Sequence, residues 1–224
     1  MPSSELAHFL NVALDIQATP FPGIHVTDGV AAATDGVMLV AKKYNDPVYL
    51  RGRGSLSPKA AKVLAALAEA TWIGSIAVVG NRVTATAQTT RYDEQLGAEV
   101  AGGYREIELE FYCPRAPVAR MLATLTDEGR GWVNLVENPK LKTVKEANAK
   151  EYVALVEDPR SGEELFRPKS IEDAHWYSVG QLRRGLRLFG KNSRLSVRRN
   201  SSGWLAFGDQ WGGVFAVTPF VKHN

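Results

Sequence analysis

One helical pattern occurs twice along the chain, and that repetition narrows the folds open to it more than any other feature. Ala60, Lys62, Val63, Leu64, Ala65 and Leu67 fall, at a constant offset, against Val118, Arg120, Met121, Leu122, Ala123 and Leu125. An internal duplication of this kind predicts two similar domains. Each helix has one apolar stripe to bury, and a sheet covered on one face by a pair of helices is a stable way to bury it. The expected fold class is therefore α+β.

The segments around the two copies fit that expectation. Ser4 to Leu14 places Leu6, Phe9, Leu10, Ala13 and Leu14 on one face and reads as a first helix. Residues 24–43 read as a meander of short strands, and 48–53 as another strand. A second helix is capped by Ser57 and carries Pro58 in its first turn, with Ala60, Val63, Leu64 and Leu67 as its apolar stripe. Residues 75–79 and 82–88 form a hairpin around Gly80 and Asn81. The polar, glycine-containing run RYDEQLGAEVAGG (91–103) reads as a connector, dividing the chain into 1–100 and 101–224.

Beyond it the pattern restarts. Tyr104 to Cys113 alternates strictly, as a half-buried strand does. A third helix is expected from Pro114 to Leu125, then strands at 131–136 and 151–156 separated by the lysine-rich NPKLKTVKEANAK. His175 to Ser178 leads into a fourth helix with Val179, Leu182, Leu186 and Phe189 as its stripe, and SRLSVRR, GWLAFGD and GVFAVTPF read as three closing strands.

Charge is distributed unevenly. Of 27 Lys and Arg, 9 fall in residues 1–112 and 18 in 113–224, against 12 Asp and Glu in each half. On the second helix Lys62 points away from the apolar stripe, with Lys59 at its flank. The third places Arg120 outward with Arg115 beside it, and the fourth sends out Arg184 and Arg187 with Arg183 between them. The first helix offers only His8, Asn11 and Val12. A single such face is what any solvated helix presents. Three basic faces nearly free of acid, Glu69 excepted, predict a positive surface that attracts phosphate backbone without reading bases. No aromatic side chains interleave with these cations, so duplex binding is expected over stacking on single strands.

At this point the chain resembles the sliding clamps of DNA replication, the processivity factors. The stretches that carry the resemblance are SLSPKAAKVLAALAEATWIGSIAVVGNRVTATAQTT and YSVGQLRRGLRLFGKNSRLSVRRNSSGWLAFGDQWGGVFAVTPF, which are similar to helix, strand, Gly-Asn turn and strand segments of bacterial clamps. The resemblance implies the DNA clamp fold, each domain with an antiparallel sheet and two helices on one face, and six domains closing a ring around duplex DNA. A chain of two domains resembles the phage, archaeal and eukaryotic clamps, which are trimers. Double-stranded DNA, a DNA polymerase, a clamp loader and two further copies of the chain are then the implied partners. The DNA contacts implied are Lys59, Lys62, Arg115, Arg120, Arg183, Arg184 and Arg187. By the same analogy Pro219, Phe220 and Val221 border a pocket for partner peptides, although they also read as plain packing at the end of a strand. Neither a cofactor, nor a metal, nor a catalytic residue is implied. The chain departs from the family in being slightly basic, with net charge +3, and in its lysine-rich insert at 138–150.

Other readings have less to carry them. Glu106, Glu108 and Glu110 share one face of a strand, but no neighbouring His or Asp completes a metal-ligand set, so a solvated strand face is expected over a hydrolase. His8, His25, His175 and His223 lack ligand spacing, and Arg51-Gly52-Arg53-Gly54 lacks the third glycine and the lysine of a phosphate loop. The single cysteine, Cys113, excludes an internal disulfide. No apolar run is long enough to span a bilayer and no leader opens the sequence, so a cytoplasmic protein with no membrane contact is expected. A non-ring nucleic-acid-binding or regulatory protein using its basic C-terminal half as an open patch is the alternative function. The two Thr-Asp-Gly copies, 27–29 and 34–36, offer either a carboxylate pair or two strand reversals. In a meander of short strands, reversals are the better reading.

Overall fold

A computed structural model describes residues 3–16, 22–27, 29–44, 50–79, 82–109, 111–112, 133–137, 140–145, 152–157, 177–200 and 203–219. The chain divides into two compact units, Met1–Asp35 with Ala41–Ala116, and Gly36–Val40 with Pro117–Asn224.

The first unit opens with α1 (Ser3–Ile16), followed by β1 (Ile24–Thr27) and β2 (Val30–Thr34). Then come β3 (Met38–Lys43), whose second half belongs to this unit, β4 (Leu50–Arg51) and β5 (Arg53–Leu56). Next are α2 (Pro58–Ala70), β6 (Ile73–Val79), β7 (Arg82–Asp93), β8 (Ala98–Leu109) and β9 (Phe111–Tyr112). Hydrogen-bonded neighbours run β3-β2-β1-β5-β9 in one sheet and β4-β6-β7-β8 in the other, where only the short β4–β6 pair is parallel. Both Thr-Asp-Gly copies are turns. Thr27 pairs with Val30 across the first, and Gly29 and Gly36 take φ of 83° and 92°, a left-handed conformation that a side chain would strain.

The two helices pack on each other and on this first sheet, α1 against β1 and β2 and α2 against β5. On α1 the expected Leu6, Phe9, Leu10 and Ala13 are buried, but so is Val12, at 5% exposure, which the sequence placed on the outer face. A helix that meets both a sheet and a second helix buries a wider arc than one stripe. The stripe of α2 is also corrected. Ala60, Ala61, Leu64, Ala65 and Ala68 face inward while Val63 is 45% exposed. Small side chains let two helices approach closely, so alanines occupy the contact that hydrophobicity alone would give to valine. The predicted cap forms, with Ser57 Oγ accepting from the Ala60 amide at 3.0 Å.

Residues 91–103 are not a connector. They belong to the β7–β8 hairpin, whose register runs from Val83↔Leu109 to Asp93↔Ala98. Gly102 and Gly103 lie opposite a bulge between Gln88 and Thr90. There Thr89 Oγ1 accepts from the Gly103 amide and donates to the Gly103 carbonyl, both at 3.0 Å, and a Cβ on Gly102 would lie only 2.7 Å from that oxygen. The alternation expected of 104–113 holds in part: Ile107 is half-buried between exposed Glu106 and Glu108, whereas Arg105, expected on the same face as Ile107, is exposed like Tyr104.

The second unit contains β10 (Val133–Glu137), β11 (Lys140–Lys145), β12 (Tyr152–Glu157), α3 (Val179–Leu186), β13 (Leu195–Arg199), β14 (Leu205–Asp209) and β15 (Gly213–Val217). Its sheet has the order β10-β13-β14-β15, with the first half of β3 beside β15, and β11 pairs with β12 as a separate hairpin. The lysine-rich insert thus supplies a strand, β11. The third helix, 114–125, lies outside the described residues. The core stacks Phe207 on Phe215, with centroids 5.6 Å apart, among Leu182, Leu188, Val197 and Val217. On α3 and the turn after it, Leu182, Gly185 and Leu188 are buried, whereas the expected Leu186 and Phe189 are only half-buried. Gly185 explains the shift, because a Cβ there would meet the Phe215 ring at 2.1 Å, so the helix rests on β15 through a glycine.

Candidate nucleic-acid interface

In the first unit the exposed residues of α1 are Ser4, His8, Asn11 and Asp15, a face without a fixed positive charge, as expected. Lys59 and Lys62 stand exposed near the start of α2 and Glu69 near its end. Asn11 Nδ2 donates to Glu69 Oε1 at 3.0 Å, tying the acid to α1. A groove lined by His8, Asn11, Glu69 and Trp72 lies at that end, so the acid is kept apart from the lysines. Lys59 and Glu69 are separated by about 15 Å along the helix at 1.5 Å per residue. A lysine in the first turn and a glutamate in the last oppose the helix macrodipole, so neither charge is placed for helix stability.

The second unit concentrates positive charge. Arg183, Arg184 and Arg187 are exposed on α3 and the turn that ends it, and Lys191 and Arg194 are exposed in the loop to β13. Here Arg183 and Arg184 sit in the last helical turn, where the macrodipole favours them. Seven Lys and Arg and no Asp or Glu occur between Asp173 and Asp209. The helix is held at its start by Ser178 Oγ, which accepts from the Gln181 amide at 3.4 Å. The adjoining Tyr177 donates its hydroxyl to the Gly203 carbonyl, and burial pushes its pKa above the usual phenol value against the opposing charge of Arg199. Anchored in this way, the arginines project from a fixed element rather than from a mobile loop.

Five of the seven cations expected at DNA are therefore exposed on helices or at a helix end. The remaining two, Arg115 and Arg120, lie outside the described residues, as do Phe220 and Val221 of the expected peptide pocket. Pro219 is half-buried, and the preceding Thr218 donates its N–H to the Val37 carbonyl at 3.0 Å. Lys191 and Arg194 went unassigned from sequence, although the acid-free run around them is visible there. Glu106 and Glu108 stand exposed on β8, as a solvated strand face should. Among the described residues no group of three His, Cys, Asp or Glu is placed to hold a metal ion, and no helix is long and apolar enough to cross a membrane.

Solved structures share this architecture. The β subunit of DNA polymerase III from Thermotoga maritima matches with a TM-score of 0.57 at 12% identity, over 100% of this chain and 65% of that one. The β sliding clamp of C. crescentus matches with a TM-score of 0.55 at 13% identity, over 99% of this chain and 64% of that one. A chain of the PCNA2–PCNA3 complex from Sulfolobus tokodaii matches with a TM-score of 0.53 at 7% identity, over 98% of this chain and 97% of that one. No protein-family model matches the chain, and no curated protein matches it by sequence. The chain has the DNA clamp fold, of class α+β. It spans less than two thirds of the length of the two bacterial chains and nearly all of the archaeal one.

Proposed function

We propose that the chain is a two-domain subunit of a homotrimeric sliding clamp that encircles duplex DNA and tethers a replicative polymerase. One observation carries the reading. On the clamp fold, the exposed cations of α2 and α3 stand on outer helix faces, which the family resemblance turns toward DNA. Contacts to phosphate alone are weak and salt-sensitive, but a closed ring needs no more than that, because enclosure prevents escape while the protein slides. Each compact unit serves as one clamp domain, and three copies supply the six domains of a ring. The match over nearly the whole length of the archaeal chain supports two domains rather than three. Arg115 and Arg120 complete the DNA contacts, and Pro219, Phe220 and Val221 border the pocket for polymerase and loader peptides. The protein works as a cytoplasmic scaffold and carries out no reaction of its own.

The acid-free run in the second unit would also serve an open basic patch, and one experiment separates the two readings. Protein loaded on circular DNA should survive a wash at high salt and be lost when a restriction enzyme linearises the circle. Equal retention on circular and linear DNA would refute encirclement and leave the open patch.

A further inference from the structure

Trp211, at the turn between β14 and β15, is 61% exposed, yet the turn that carries it is tightly held. Asp209 Oδ1 accepts from the amides of Trp211 at 3.0 Å and Gly213 at 2.7 Å, while its Oδ2 accepts from the Ser193 hydroxyl at 3.2 Å. The Arg194 amide donates to Gln210 Oε1 at 2.8 Å, which ties the turn to the basic loop a second time. Gly212 takes φ of 80°, and a Cβ on Gly213 would sit 3.1 Å from Asp209 Oδ1 and 3.3 Å from the Phe189 ring. The tryptophan is thus presented by a packed turn whose own carboxylate, Asp209, is already engaged.

We propose that this turn and the adjacent 191–194 loop form a stacking platform for a base of single-stranded nucleic acid, with Trp211 as the platform and Lys191 and Arg194 as phosphate contacts. The surroundings choose the ligand. A protein hot spot is ringed by contacts that exclude water, and insertion into a membrane needs an apolar face larger than one ring. Here the other exposed side chains of the turn and of the 191–194 loop are Gln210, Lys191, Asn192 and Arg194, all polar or cationic. A nucleobase supplies the π-face and its backbone the negative charge, the pairing found in single-strand binding surfaces. A held side chain also loses little freedom on binding. The sequence expectation of duplex binding alone was drawn from the helix faces, and this aromatic lies off them. The proposal goes beyond the clamp reading and does not need a ring, because linear oligonucleotides test it.

Fluorescence anisotropy of the full chain would be measured with three probes of equal charge: oligodeoxythymidine, an abasic strand of the same length and a hairpin duplex. Trp211→Ala should weaken oligodeoxythymidine binding by about tenfold, the usual scale for one lost stack. Trp211→Phe should keep most of it, and the abasic strand and the duplex should bind wild type and Trp211→Ala alike. The substitution spares the turn, whose bonds use the backbone of residue 211, and an unchanged unfolding midpoint would confirm that. Lys191→Ala with Arg194→Ala should weaken oligodeoxythymidine and abasic strands equally. Unchanged oligodeoxythymidine binding in Trp211→Ala would overturn the proposal, and so would an equal loss on the abasic strand. Cosedimentation with phosphatidylcholine–phosphatidylglycerol vesicles that depends on Trp211, without such dependence on oligonucleotide, would replace it with a membrane contact.

Discussion

Gly185 lies where α3 meets β15, and the absence of its side chain sets how close the helix comes to the sheet. Phe215 is fully buried and stacked on Phe207, so its ring has no free space to turn into. A methyl group at 185 would stand 2.1 Å from one ring carbon and 2.4 Å from another. Two effects oppose each other in Gly185→Ala. Replacing a helical glycine with alanine gains about 1 kcal/mol of propensity, whereas overpacking a filled core costs about 1–3 kcal/mol and occasionally more. Contacts this short involve three ring atoms, so packing should win and the urea midpoint should fall. The helix should shift with it, loosening the base on which Arg183 and Arg184 stand. An unchanged or raised midpoint would mean that the ring gives way freely.

At the scale of elements, what the sequence revealed depended on which force set each feature. Turns and caps follow local chemistry, and the Ser57 cap, the two Asp-Gly reversals and the closing three-strand meander all lie where the residues place them. The buried arc of a helix depends on its neighbours instead, so Val12 and Val63 were assigned to the wrong sides. The β7–β8 hairpin was illegible for another reason. Its glycines look like a linker, but Gly102 makes room for the Thr89 side chain to bond across the bulge, and backbone pairing is blind to polarity. Of the candidate interface, outward cations could be read because helical period alone fixes them. The loop cations Lys191 and Arg194 depend on the hairpin packed beside them. A prediction follows for α3. Replacing Arg183 and Arg184 together with Ala should lower the slope of log affinity against log salt on duplex DNA by up to about 2, at roughly 0.9 per phosphate contact. Stability should change little, since each exposed charge at a helix C-terminus contributes only about 0.3–1 kcal/mol. An unchanged slope, measured by titration between 50 and 200 mM salt on the order used for such contacts, would remove α3 from the DNA surface.

For the whole molecule, the end strands of its sheets bear on assembly. Among the described residues the 12-residue strand β8 stands at the end of its sheet with Tyr104 exposed, and a strand edge of that length can pair with another chain. A head-to-tail contact covers such edges without limit unless its rotation closes, in which case it forms a ring of fixed size. A protomer of 24.5 kDa should therefore appear in light scattering at roughly 74 kDa, three copies, with no ladder of higher species. Closure couples that mass to the DNA result. When the protein is diluted below the concentration at which the trimer dissociates, salt-resistant retention on circular DNA should vanish. Low-salt binding to short duplexes should persist in each protomer, since Arg183 and Arg184 are exposed on a single chain. If retention and mass fell at different concentrations, assembly would not be what holds the protein on DNA, and a strictly monomeric species at every concentration would rule out the trimer.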